Sequence, residues 1–116
     1  MNGIAHIEIP SRDFAKAQKF YGDVFGWKFQ EMKEMNYLTF EAPSGINGGF
    51  DSRAEIAAKP GIALYIEVED IPQTIKKAET IGGKTAVPKT EISPEIGYFA
   101  FIVDLEGNQV GLWSKK

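Results

Sequence analysis

No cysteine occurs in the 116 residues, and histidine occurs once, at His6. The first absence excludes disulfides, thiolate metal centres and a cysteine nucleophile, and it is compatible with the cytosol. The second leaves one imidazole for any metal or acid–base chemistry. Long apolar runs are missing too: none approaches the ~20 residues needed to span a bilayer, so no membrane partner is expected. The N-terminus has no basic stretch followed by a long apolar one, so no signal peptide and a cytoplasmic location are expected. A dense positive face is also absent. Acidic residues outnumber basic ones 16 to 13, for a net charge of -3, and adjacent bases occur only at Lys76-Lys77 and Lys115-Lys116. Nucleic acid is therefore disfavoured as a partner. Gly45, Gly48, Gly49 and Gly107 read as turn and bulge residues, because no strand–GxxxxGK–helix arrangement surrounds them.

What the chain has in quantity is aromatic material: eight Phe, four Tyr and two Trp. That is enough to line an apolar pocket as well as fill a core. The length suits one ordinary domain.

The chain reads as two copies of one pattern. Residues 3–9 alternate as a strand. "SRDFAKAQKFYGDVFGW" then places Phe14, Ala17, Tyr21 and Val24 at helical spacing, widened by Phe20 and Phe25. Ser11 or Asp13 can cap that helix, and Gly26 can end it in a left-handed conformation. Strands are expected at about 27–33, 36–42 and 46–51. After a polar connector at 52–60 the order repeats. "GIALYIEVE" is a strand and "DIPQTIKKAETIGG" a helix, with Asp70 and Gln73 at capping-box spacing and an apolar stripe of Ile71, Ile75, Ala78 and Ile81. Further strands are expected at about 84–89, 96–103 and 108–114, the last two joined by the tight turn "DLEGN". "GIAHIEIP" lies over "GIALYIEVE", pairing His6 with Tyr65 and Glu8 with Glu67. An internal repeat of this kind decides the architecture.

"AHIEIPSRDFAKAQKFYGDVFGWKF" and "YFAFIVDLEGNQVGLW", in this order, resemble the vicinal oxygen chelate superfamily, which groups glyoxalase I, bleomycin-resistance proteins and extradiol dioxygenases. The second stretch is similar to the closing "DPxGN" hairpin of that family, with Leu105 where proline is usual. The resemblance implies an α+β fold: two βαβββ modules, about 1–51 and 61–116, forming a curved mixed sheet with helices outside and a cavity inside. It also implies a homodimer.

Metal-using members of the superfamily take ligands from the first and last strands of each module. Carried over, those positions fall on His6, Tyr65, Gly111 and a residue near Gly49, so only one of the four has a competent donor. Zinc or iron needs about three protein ligands. No metal and no other cofactor is therefore expected, a divalent metal held by His6, Glu8 and Glu67 being the disfavoured alternative.

Strand alternation, with the helix side set by the family fold, turns His6, Glu8, Tyr65, Glu67, Phe99, Phe101, Gln109 and Trp113 towards the cavity. An aromatic wall with a few hydrogen-bonding groups is the usual composition of a small-molecule site. The expected function is a binding protein for an aromatic or cationic small molecule. One alternative is a glyoxalase-like lyase or isomerase with His6 or a glutamate as catalytic base beside an α-carbonyl proton. The other is a structural or regulatory dimer without a ligand.

Overall fold

The computed structural model describes residues 1–116 and divides the chain into two compact units, Met1–Ile56 and Ala57–Lys116. Each unit is one βαβββ module. The first runs β1 (Ile7–Pro10), α1 (Phe14–Phe25), β2 (Lys28–Met32), a short 3-10 turn at Lys33–Met35, β3 (Tyr37–Glu41) and β4 (Gly48–Asp51). The second runs β5 (Tyr65–Glu67), α2 (Ile71–Thr80), β6 (Lys84–Ser93), β7 (Gly97–Val103) and β8 (Gln109–Ser114). The strand orders are β1-β4-β3-β2 and β5-β8-β7-β6. In each sheet the first strand is parallel to the last, and the remaining neighbours are antiparallel.

Both helices start on an aspartate. Asp13 accepts hydrogen bonds from the Ala15 and Lys16 amides, and Asp70 accepts one from Gln73 at 2.9 Å. These bonds satisfy amides that a helix's first turn leaves without partners. Gly26 ends α1 at φ 74, a left-handed conformation that costs glycine little.

Ala17, Phe20, Tyr21 and Val24 of α1 are buried together with Ile9, Trp27, Leu38, Phe40 and Phe50. The rings interlock: Trp27 stacks on Phe40 at 4.2 Å and on Tyr21 at 4.9 Å, and Tyr21 meets Phe50 at 5.2 Å. Helix α2 packs on β6, β7 and β8, burying Ile71, Thr74 and Ala78 with Ala100, Ile102, Val110 and Leu112. Each sheet thus has a helix-covered face and an open face, and successive residues alternate between them.

The "DLEGN" turn is held by buried Asp104, whose carboxylate accepts from the amides of Glu106 and Asn108 and from the Asn108 side chain. The first strands are shorter than the alternating pattern suggested. Ladder pairing begins at Ile7 and Tyr65, so His6 stands one residue before β1. Strand β6 is longer, reaching Ser93 through register shifts that let a bulged strand follow β7 past Thr90.

The registers also align the modules internally. Ile7 lies opposite Gly48, whereas its repeat partner Ile66 lies opposite Leu112. Gly49 is therefore the counterpart of Trp113, and Asn47 that of Gly111. In this alignment the residue near Gly49 that corresponds to Gly111 is Asn47.

Candidate functional site

The open faces of the two sheets differ in chemistry. In the first module, Glu8, Tyr37, Thr39 and Gly49 lie on the face opposite buried Leu38, Phe40 and Phe50. His6 Nε2 lies 2.6 Å from the Tyr37 hydroxyl oxygen, and that hydroxyl donates to Glu8 Oε2 at 3.0 Å. His6 and Glu8 are exposed and Tyr37 is half-buried. Burial, the hydrogen bond to Glu8 and the nearby Glu8 and Asp51 carboxylates push the Tyr37 phenol up to about 12, so it stays a donor at neutral pH. Asp51, opposite Tyr37 in the ladder, is shifted the other way, held below the usual carboxylate range chiefly by the backbone N–H of Arg53.

The position of Tyr37 depends on a glycine. A Cβ on Gly49 would fall well inside 3.0 Å of the Tyr37 ring, closer than real Cβ atoms come. The ring occupies the space above a residue with no side chain, an aromatic covering a strand glycine. Tyr37 was absent from the residues singled out in the sequence, although "YLTFE" carried the signal. Alternation sets Tyr37 and Thr39 against the core residues Leu38 and Phe40.

In the second module the open face is aromatic. Tyr65, Ile92, Phe99 and Trp113 line an open concavity of about 490 Å³, within the range of small-molecule sites. Phe99 lies opposite Trp113 in the ladder, and Phe101 opposite Gly111. The Phe101 ring meets Tyr65 at 5.3 Å and Phe99 at 6.0 Å, so it backs the wall. The Trp113 indole N–H donates to the Ile96 carbonyl at 3.1 Å, which fixes the ring's orientation. Glu67, exposed, lies opposite Trp113 in the ladder but is not part of the lining. Gln109 is paired with Val103 at the other end of β8, about 13 Å along the strand from Trp113. Ile92 was not foreseen, because β6 was expected to stop near residue 89.

The metal implied by the resemblance can be tested against these residues. His6 offers one imidazole, held through Nε2 by Tyr37, which leaves a single ring nitrogen for a metal. At Gly111 a Cβ would sit 2.6 Å from a Tyr65 ring carbon and 3.1 Å from the Leu64 carbonyl oxygen, so Tyr65 fills the space a ligand side chain would need. At Asn47 the amide oxygen accepts from the Ala42 backbone N–H at 3.0 Å. No cluster of three His, Asp or Glu side chains suited to a metal forms in either module. The donor set of the metal-using members does not fit the residues present within a module.

The fold and the paired modules define a class, and comparison with known proteins identifies it. The family model described as bleomycin resistance protein-like N-terminal matches residues 4–43. A glyoxylase-like domain-containing protein of Didymella fabae is 38% identical over 112 residues, covering 90% of this chain and 88% of that protein. The chain belongs to this glyoxalase-like branch of the vicinal oxygen chelate superfamily. A Mycobacterium tuberculosis protein described as a candidate glyoxylase, CFP32, is 28% identical over 116 residues, and the match spans 43% of its length. Among solved structures, the fosfomycin resistance protein FosX of Listeria monocytogenes superposes with a TM-score of 0.81 at 12% identity, over 100% of this chain and 95% of that one. A glyoxylase/bleomycin resistance protein/dioxygenase domain from Frankia sp. EAN1pec gives 0.77 at 16% identity, over 100% and 99%. At these identities the two structures speak for the fold alone. No helix is long and apolar enough to cross a membrane.

Proposed function

We propose that the chain is a small-molecule binding protein of the glyoxalase/bleomycin-resistance type that works without a complete metal site. The reading is carried by the aromatic concavity of Tyr65, Ile92, Phe99 and Trp113. Fixed rings with free faces favour a flat, conjugated ligand, since stacking adds about 0.5–1.5 kcal/mol per pair to the area buried. Glu67 beside Trp113 favours an amine or other cationic group over an acid. In this reading the protein acts in the cytoplasm as a homodimer, which sedimentation equilibrium would measure.

Tryptophan fluorescence tests the binding. Trp27 is buried in the first module's core, so a ligand on the second module's open face should act on Trp113. Titration with quinoline, naphthylamine and naphthoate should quench saturably in the wild type. The response should vanish in Trp113→Phe while Trp27 emission persists. Absence of saturable quenching by every compound would sink the reading.

The hydrogen bond between His6 and Tyr37 favours a second reading, a glyoxalase-like lyase or isomerase in which His6 removes a proton beside a carbonyl. Exchange of the α-protons of hydroxyacetone in D₂O, followed by NMR, should then be catalysed by the wild type and lost in His6→Ala. Equal rates in the two proteins would remove His6 from the chemistry.

A further inference from the structure

The three polar side chains on the first module's open face obey a proton count. The Tyr37 oxygen carries one hydrogen, and it points at Glu8 Oε2, 3.0 Å away. A carboxylate can only accept, so that hydrogen is committed. The His6 Nε2 at 2.6 Å must then supply the hydrogen of its own contact. Neutral His6 is thus protonated on Nε2, and its lone pair lies on Nδ1, on an exposed ring. Glu8 polarises the Tyr37 oxygen and makes it a better acceptor for the imidazole N–H. The placement is built into the backbone, because Gly49 alone among residue types leaves room for the Tyr37 ring.

We propose that Tyr37 and Glu8 are positioning residues that hold His6 with its proton on Nε2 and present Nδ1 as the proton-accepting atom of the acid–base site. The proposal rests on the second reading above. In the step it serves, Nδ1 takes the proton from a carbon beside a carbonyl and the electron pair stays on the substrate as an enolate. The imidazolium, stabilised through Nε2–H by Tyr37, then returns a proton to the enolate. No other reactant is required. Because the phenol is held up near 12, it keeps its hydrogen throughout the working range.

The single histidine makes the test direct. Long-range ¹H–¹⁵N correlation on the full chain, at a pH where the imidazole is neutral, reports one residue and both ring nitrogens. The wild type should show the pure Nε2–H pattern. Tyr37→Phe should move the two nitrogens towards each other as the tautomers mix, with Glu8→Gln in between. In the hydroxyacetone exchange assay Tyr37→Phe should lower kcat about tenfold with KM unchanged. An identical tautomer average in the wild type and both variants overturns the positioning role. A pure tautomer in the wild type, mixed in the variants, without exchange in any of them, supports the positioning and ends the enzyme reading. Glu8→Gln retains the Tyr37 ring and serves on its own should Tyr37→Phe lose its fold.

Discussion

Replacing Gly49 with alanine adds one methyl group to a strand position buried beneath Tyr37, at a residue type that normally gains from the change. A strand glycine costs about 0.5–1 kcal/mol relative to alanine, so a neutral site would be stabilised by that amount. Here the new Cβ would clash with the hydroxyl end of the Tyr37 ring, well inside 3.0 Å. The ring must swing away, giving up its hydrogen bonds to His6 and Glu8. Each is worth about 0.5–1.5 kcal/mol net, towards the low end because water replaces the partner at an open face. Displacing the ring from its covering position adds about 1–3 kcal/mol of misfit. The sum, less the glycine gain, is a loss of about 1–3 kcal/mol. For a chain of this size that lowers Tm by about 4 °C per kcal/mol.

A double-mutant cycle isolates the cause. In a Tyr37→Ala background the obstructing ring is gone, and Gly49→Ala should become neutral or stabilising by about 0.5–1 kcal/mol. Urea denaturation of the four proteins gives the coupling energy, expected at about 1–4 kcal/mol. If Gly49→Ala costs nothing in the wild type, or costs the same in both backgrounds, the ring does not depend on the glycine and the argument fails.

Gly48→Ala should be more damaging, because its Cβ would meet the Ile7 backbone carbonyl rather than a movable side chain. Loss of the parallel β1–β4 pairing and more than about 3 kcal/mol of stability are expected by urea denaturation, with no rescue by Tyr37→Ala. The Tyr37 phenol should titrate at about 12 against 10.0 in the unfolded chain, seen as a late tyrosinate absorbance step that disappears in Tyr37→Phe. Between those values the unfolded chain has lost a proton that the folded chain keeps. The contribution of Tyr37 to stability is therefore full below pH 10.0 and declines as pH rises towards 12. Glu8→Gln should move the step down without reaching the unfolded value, because burial is its largest cause and remains.

The repeat was legible because its markers are local. Aspartates at 13 and 70 cap helices and Gly26 ends one; α1 buries Ala17, Phe20, Tyr21 and Val24 of its stripe, and α2 buries Ile71 and Ala78 with Thr74 while Ile75 and Ile81 stay half-buried. Asp104 and Asn108 announce the last hairpin through bonds four residues apart or fewer. What could not be read was register. Which residue of the first module stands where Gly111 stands in β8 depends on pairing across forty positions, and the register puts Asn47 there, two places before Gly49. The extension of β6 to Ile92 likewise depends on bulges that no local pattern signals. Tyr37 was hidden for a related reason: it reaches His6 and Glu8 across β4, over a glycine that looks like a turn residue in sequence.

That glycine shows how one framework came to carry two chemistries. At the level of Glu8 and Glu67, the last strand offers Gly49 in one module and Trp113 in the other. Both sheets place an aromatic ring there. In the second module the last strand supplies the ring itself, and the concavity around it is mainly aromatic. In the first module the last strand supplies only space, and β3 fills it with Tyr37, whose hydroxyl then lands between an imidazole and a carboxylate. The same exchange recurs one level along, where Tyr65 covers Gly111. Substituting a glycine for a side chain on the last strand therefore does not empty the face. It passes the position to a tyrosine on a neighbouring strand, and the hydroxyl of that tyrosine decides whether the position carries a hydrogen-bond network or an aromatic wall.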